Sequence, residues 1–137
     1  MNRFPALHLL LLCLGCGNEI NPSDLNLLNG YWNIDYISHK NETFHPKRAA
    51  KLLDYYEVND RQGIRKKVQP SLNNKFLVTE NLNYFKVIFN DKNCYLSFQT
   101  TWDQWKEKIV LLSEDELILD HQEKRYHYKK FQIKDYP

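Results

Sequence analysis

The chain has 137 residues, with 19 lysines and arginines against 17 acids, for a formal net charge of +2. A balance so close to neutral excludes the broad basic footprint of a nucleic-acid-binding protein. The two short basic runs, Arg65-Lys66-Lys67 and Lys129-Lys130, read as solvated strand faces.

The first element is apolar. Leu7 to Asn18 reads LHLLLLCLGCGN, and the apolar run that leads into it, Phe4 to Leu14, is too short for a membrane span, which needs about 20 apolar residues. Arg3, the leucine-rich middle and the small residues after it make a secretory signal. Cys13-Leu14-Gly15-Cys16 resembles the lipobox of bacterial lipoproteins, with Cys13 where leucine is usual. The resemblance implies cleavage before Cys16 and acylation of that cysteine, palmitate among its chains. Several chains make membrane attachment effectively permanent, where one is marginal. Gly17, not aspartate, follows the cysteine, which by the same resemblance implies the outer membrane of the cell envelope, with the leaflet open. The expected plan is a signal peptide over 1–15, a lipidated cysteine and polar tether over 16–24, and one domain over 25–137, large enough for a single core. With Cys16 acylated, Cys94 has no intramolecular partner, so a disulfide framework is excluded. Cys94 reads as a small buried apolar residue.

Ser23 or Asp24 caps a short turn through Leu28, ended by Gly30. The period then changes. YWNIDYI alternates, placing Trp32, Ile34 and Tyr36 on one strand face. HPKRAAKLL, from His45 to Leu53, is the convincing helical piece, with Pro46 at a first helical position. DYYEVND is a strand turning at Asn59-Asp60, and GIRKKVQPSL follows, with Pro70 marking an end, edge or bulge. NNKFLVTEN is another strand, entered through Asn73-Asn74. NYFKVIFNDKNCYLSFQT is the clearest hairpin: Phe85, Val87 and Phe89 share one face, and Leu96 and Phe98 alternate with polar neighbours across a turn at Asn90 to Asn93. Three more strands follow, separated by turns at Ser113–Glu116 and Gln122–Lys124. Eight to ten short strands in sequence, with one short helix, make an all-β antiparallel up-and-down barrel the economical fold, because closure removes the free edges.

LNGYWNIDYI near the start and IVLLSEDELILDHQEKRYHYKKF near the end resemble lipocalin-like lipoproteins of the Bacteroidetes type. Leu28, Gly30 and Trp32 match the opening of that family. Ile109, Leu112, Leu117 and Leu119 match its closing hairpin, and Tyr126, Tyr128 and Phe131 its aromatic last strand. GIRKKVQPSLNNKF and TTWDQWKE match less distinctly. The resemblance implies an eight-stranded lipocalin-like barrel with a small apolar ligand. It implies no catalytic residue and no cofactor.

The residues themselves offer little chemistry. There is no glycine-rich phosphate loop, no His-Glu-x-x-His and no nucleophile elbow. His121 and Glu123 share a strand face, but a metal needs three or four converging ligands, so no metal is expected. Asp35, Asp54 and Asp103 pair only if folding brings them together. The aromatic excess, nine tyrosines, seven phenylalanines and three tryptophans, is the real signal. It either fills the barrel or lines an open calyx of Trp32, Tyr36, Phe85, Phe89 and Phe98. The expected function is non-enzymatic: binding or sequestering a small apolar ligand at the envelope. The alternative is an accessory or assembly subunit of an envelope protein complex, contacting a partner around Trp102. A hydrolase or isomerase in the barrel mouth is a third reading, and it requires converging ionisable groups there.

Overall fold

The computed structural model describes residues 19–47, 52–70 and 76–132, the stretch 76–81 through its backbone alone. The signal segment and residues 16–18, with Cys16, lie outside these residues; the rest of the expected tether is described, with Ile20 buried against the core and Pro22 to Asp24 already in a helix. A 3-10 helix, Pro22–Leu28, precedes nine strands: β1 Gly30–His39, β2 Glu42–Phe44, β3 Leu53–Asn59, β4 Gln62–Pro70, β5 Phe76–Asn90, β6 Asn93–Gln99, β7 Gln104–Leu112, β8 Glu116–His121 and β9 Lys124–Lys130. From β3 to β9 each strand pairs antiparallel with the next, β1 pairs with β3, and β9 returns to β1. Eight strands therefore close an all-β barrel, as the strand count predicts. The ninth, β2, pairs with the far end of β1 from Ile37↔Phe44 to His39↔Glu42.

Two-residue turns set the meander. Lys40, Asp60 and Asp91 each open such a turn with positive φ, and Gln122 and Glu123 both carry it. Positive φ at these positions matches the right-handed twist of the flanking strands. Pro70 ends β4, as the missing N–H requires. The strand through Leu77 and the one through Phe85 are a single 15-residue element.

The 3-10 helix closes one barrel end. The Asn21 N–H donates to Asp24 Oδ2 at 2.9 Å, so Asn21 starts the helix one turn before the expected caps. Leu25 and Leu28 are buried in the core, and Trp32 Nε1 donates to the Leu28 carbonyl oxygen at 2.8 Å. That bond satisfies both the indole and a helix-end carbonyl. The helix expected over His45–Leu53 has a different outcome where it is described. His45 to Lys47 are irregular and Leu53 begins β3, while 48–51 lie outside the described residues. Leu53 pairs with Val68 and both are buried, so tertiary packing overrides a helical propensity worth only tenths of a kcal/mol per residue.

One strand breaks its own alternation. The β1–β9 register shifts between Ile34 and Tyr36. Ile34 pairs with Tyr128 and packs on the core, but Tyr36 pairs with His127. His127 stands opposite Ile118, between the inward Leu117 and Leu119, so its face is the outer wall. Tyr36 therefore lies outside the barrel, stacked on His127 at 3.9 Å and 15°, not beside Trp32.

Candidate functional site

Three of the five expected calyx residues are core. Trp32 and Phe98 are 0% exposed and Phe85 is 3% exposed, so they present almost no surface to a ligand. Phe85 and Phe98 meet at 5.4 Å, Tyr56 meets Phe85 edge-on at 6.1 Å, and Trp105 stacks on Phe98 at 5.1 Å. Gly63 makes room for this cluster: a Cβ there would lie 2.8 Å from the Phe85 ring. Phe89 is half-buried against the core, with the Arg61 guanidinium 5.2 Å from its ring centroid. Tyr36 is on the outer wall. The aromatic set thus packs on itself inside the barrel instead of lining one cup.

A polar layer packs against this cluster inside the barrel, whose end opposite the helix carries the turns at Lys40-Asn41, Thr100–Asp103 and Gln122-Glu123. Arg65 of β4 reaches across to Glu107 of β7 in a two-pronged pair at 2.8 and 2.9 Å. Trp105 Nε1 donates to Glu107 Oε2 at 2.8 Å, and Arg65 donates to the Tyr56 hydroxyl at 3.2 Å. The guanidinium also lies 4.2 Å from the Phe98 centroid. One step further out, buried Asp54 pairs with Lys67 at 2.5 Å. The side chains of Lys67 and Arg65 are 40% and 15% exposed, so solvent reaches the layer.

Burial and neighbouring charges act on Arg65 and on the interior tyrosines. Burial opposes the Arg65 charge, but Tyr56 and Glu107 outweigh it and hold its pKa above the ordinary arginine value. Burial pushes the Tyr56 and Tyr128 hydroxyls well up, so both stay protonated donors. It also pushes the Cys94 thiol up to about 11.

Other singled-out residues have local roles. Asp35 is 3.7 Å from Lys129, Asp103 Oδ1 accepts from the Gln104 N–H, and only Asp54 joins the interior layer. His121 Nδ1 contacts the Lys106 carbonyl oxygen at 3.2 Å, and Glu123 lends its carbonyl oxygen to His39. Trp102 is 94% exposed, while Trp105 packs against the core.

The expected solvated face of Arg65-Lys66-Lys67 fails at Arg65, which turns inward to Glu107, and at Lys67, which pairs with buried Asp54, while Glu107 went unread in the sequence. In GIRKKV the apolar Ile64 and Val68 claim the inner face, yet Arg65 is inside and the β4–β5 register shifts between Lys66 and Val68. Glu107 left a usable signal: it stands between Trp105 and Ile109 on the apolar parity of WKEKI.

Among solved structures, three are similar. A lipocalin-like protein from Bacteroides uniformis superposes with TM-score 0.48 at 9% identity, over 77% of this chain and 99% of that one. An uncharacterized protein from Bacteroides eggerthii gives 0.47 at 8%, over 76% and 99%. Lobster apocrustacyanin A1 gives 0.43 at 11%, over 77% and 62%. No family model and no curated protein matches the sequence. The topology decides the fold: eight antiparallel strands in sequence order, closed on themselves and stoppered by an N-terminal 3-10 helix. The fold is lipocalin-like. In this lipocalin-like barrel the interior combines a packed aromatic cluster with a layer of paired charges.

Proposed function

We propose that this protein is a non-enzymatic binding protein of the cell envelope, anchored by a lipid on Cys16, that takes a small apolar ligand with one polar end into its open barrel mouth. The observation that carries this reading is the Arg65–Glu107 pair set inside a closed barrel, against a packed aromatic cluster and within reach of solvent. Desolvating two charges costs several kcal/mol per ion, and an apolar pair of similar volume commonly folds as well or better. A barrel selected only to fold has no need of that layer. Half-buried Trp105 and Tyr126 offer apolar wall beside it.

The same network argues against catalysis. Glu107 accepts from Arg65 on one oxygen and from Arg65 and Trp105 on the other. A carboxylate with both oxygens so engaged has no oxygen left unengaged to turn toward a substrate. The anchor reading rests on Leu14-Gly15-Cys16 and on chain reach: six residues from Cys16 to Pro22 span roughly 20 Å at most. An anchored barrel would thus keep its helix-closed end near the bilayer and its mouth away from it.

A second reading has its own observation. Leu82, Tyr84 and Ile88 are exposed on the outer face of β5, and Trp102 stands free at the mouth end. Such a stripe favours an accessory subunit docked through its wall.

The test is native mass spectrometry of the full chain, purified without refolding, followed by titration with dodecanoic acid while the emission of Trp32 and Trp105 is read in a Trp102→Phe background. An adduct lost on denaturation, or a saturable emission change, supports the binding reading. A clean apo mass with no saturable uptake overturns it and leaves the docking reading. Acyl mass on the N-terminal peptide, abolished by Cys16→Ser, tests the anchor separately.

A further inference from the structure

The outer wall of the barrel has a second polar feature, remote from the mouth network. Cross-strand partners Tyr95↔Lys108, Lys108↔Asp120, Asp120↔Arg125 and Arg125↔Ser38 run as one belt over five strands. All face outward, since Cys94, Leu96, Leu119 and Tyr126 on the same strands face the core. The belt floors a groove of about 500 Å³ that Lys106, Lys40 and Lys124 also border.

The charge of this groove is unbalanced. It holds five cations against two carboxylates, a larger net positive charge than the +2 of the entire chain. One carboxylate is already spent. Asp120 takes both prongs of Arg125, at 2.7 and 2.9 Å, and this bond holds its carboxyl below the usual range. Lys106 faces Ser97 and Lys124 faces His121, where an ordinary sheet surface would set opposite charges across from each other. Among the described residues, Lys40, Lys106, Lys108 and Lys124 form no ion pair. Lys40, Lys106 and Lys124, with Lys108 set opposite an Asp120 already held by Arg125, focus a positive potential on this concave surface that recruits anions.

We propose that this groove is an anion site for a ligand of the phosphate class, bound by Lys106 and Lys108 from the strands and by Lys40 and Lys124 from the turns. Lysine ammonium groups act on phosphate as movable point charges, and the Tyr95 hydroxyl adds a donor at the groove floor. A soluble phosphate ester and a phospholipid headgroup both present this chemistry. The site is independent of the mouth, so neither reading depends on the other.

The test is calorimetric titration of the full chain in neutral detergent at low ionic strength, first with inorganic pyrophosphate and then with dihexanoyl phosphatidylglycerol. Lys106→Glu/Lys108→Glu is expected to weaken binding by about tenfold or more. Lys40→Glu/Lys124→Glu, confined to exposed turns, should act in the same direction and serves if the strand variant folds poorly. Lys66→Glu/Lys92→Glu carries the same charge change elsewhere and should leave affinity unchanged. Saturable pyrophosphate binding with this pattern supports a soluble ligand, and binding of the lipid alone supports a headgroup. No saturable binding of either probe, or equal loss in the Lys66/Lys92 control, overturns the proposal.

Discussion

The Lys130 ammonium stands 4.6 Å from the centroid of the Trp32 ring and donates to the Asn29 carbonyl oxygen. The contact ties the last strand to the first at the seam where the barrel closes. Gly30 makes the approach possible. Its φ is +113°, and a Cβ there would lie 2.7 Å from Lys130 Nζ. Lys130→Ala is expected to cost about 1–2 kcal/mol through the lost stem packing, ring contact and hydrogen bond. Gly30→Ala is expected to cost about 1–3 kcal/mol, because it forces a side chain into that backbone region and displaces the lysine. Urea unfolding of both variants checks this. Midpoints equal to wild type would remove the clamp from the account of closure.

The interior ion pair predicts a non-additive result. Arg65→Ala leaves Glu107 inside the barrel without its cation, at a cost of about 3–5 kcal/mol. Arg65→Met with Glu107→Leu replaces the pair by apolar bulk and should recover most of that loss. If the layer exists for a ligand, the double variant folds but loses saturable uptake of dodecanoic acid. A double variant that folds and binds like wild type would show that the layer has no part in recognition.

The strand count, most turns and the barrel's closing order were legible because the strands from Phe85 onward alternate between core and solvent, β7 excepted, whose register shifts between Ile109 and Leu111. Phe85, Val87 and Phe89 face inward as their parity requires. Failures occur where the register slips. A shift after Ile34 sends Tyr36 outside, and a shift after Lys66 interrupts a strand whose charged Arg65 points inward. Alternation carries no mark of a bulge, since one extra residue changes parity without changing composition. Arg65 was hidden for a second reason. Its counter-charge Glu107 is 42 residues away, and only closure brings β4 opposite β7.

Trp102 is held out by a tight turn. Thr100 Oγ1 accepts from the N–H groups of Trp102 and Asp103 at 3.3 and 3.0 Å, so the exposed indole has a fixed support. Trp102→Ser should change stability by less than about 0.5 kcal/mol, since nothing packs on the ring. It should also abolish most of the iodide-quenchable emission, leaving buried Trp32 and half-buried Trp105. Quenching that persists in the variant would mean that the mouth around Trp105 opens to solvent on the nanosecond scale.

Acid should weaken the fold in two separable steps. His127 stacks on Tyr36, and its Nε2 lies 3.2 Å from Ser38 Oγ. Burial, with help from the Arg125 charge, lowers its pKa below the ordinary 6.5, against weaker opposing pulls from Asp120, Asp35 and Glu116. The folded chain therefore prefers the neutral ring. Between the lowered value and 6.5 the unfolded chain binds more protons, so this contribution is complete above 6.5 and declines as pH falls toward the folded pKa. Asp120 acts at lower pH. The Arg125 hydrogen bonds depress its carboxyl, so its contribution is complete above the ordinary 3.8 and is lost as pH falls through the depressed value. Both groups are largely solvent-exposed, which keeps each effect small. Urea midpoints followed from neutral to acid pH should show the upper step flattened in His127→Gln and the lower step flattened in Asp120→Asn. An upper step unchanged in His127→Gln would assign it to another histidine and detach the outer-wall stack from the acid response.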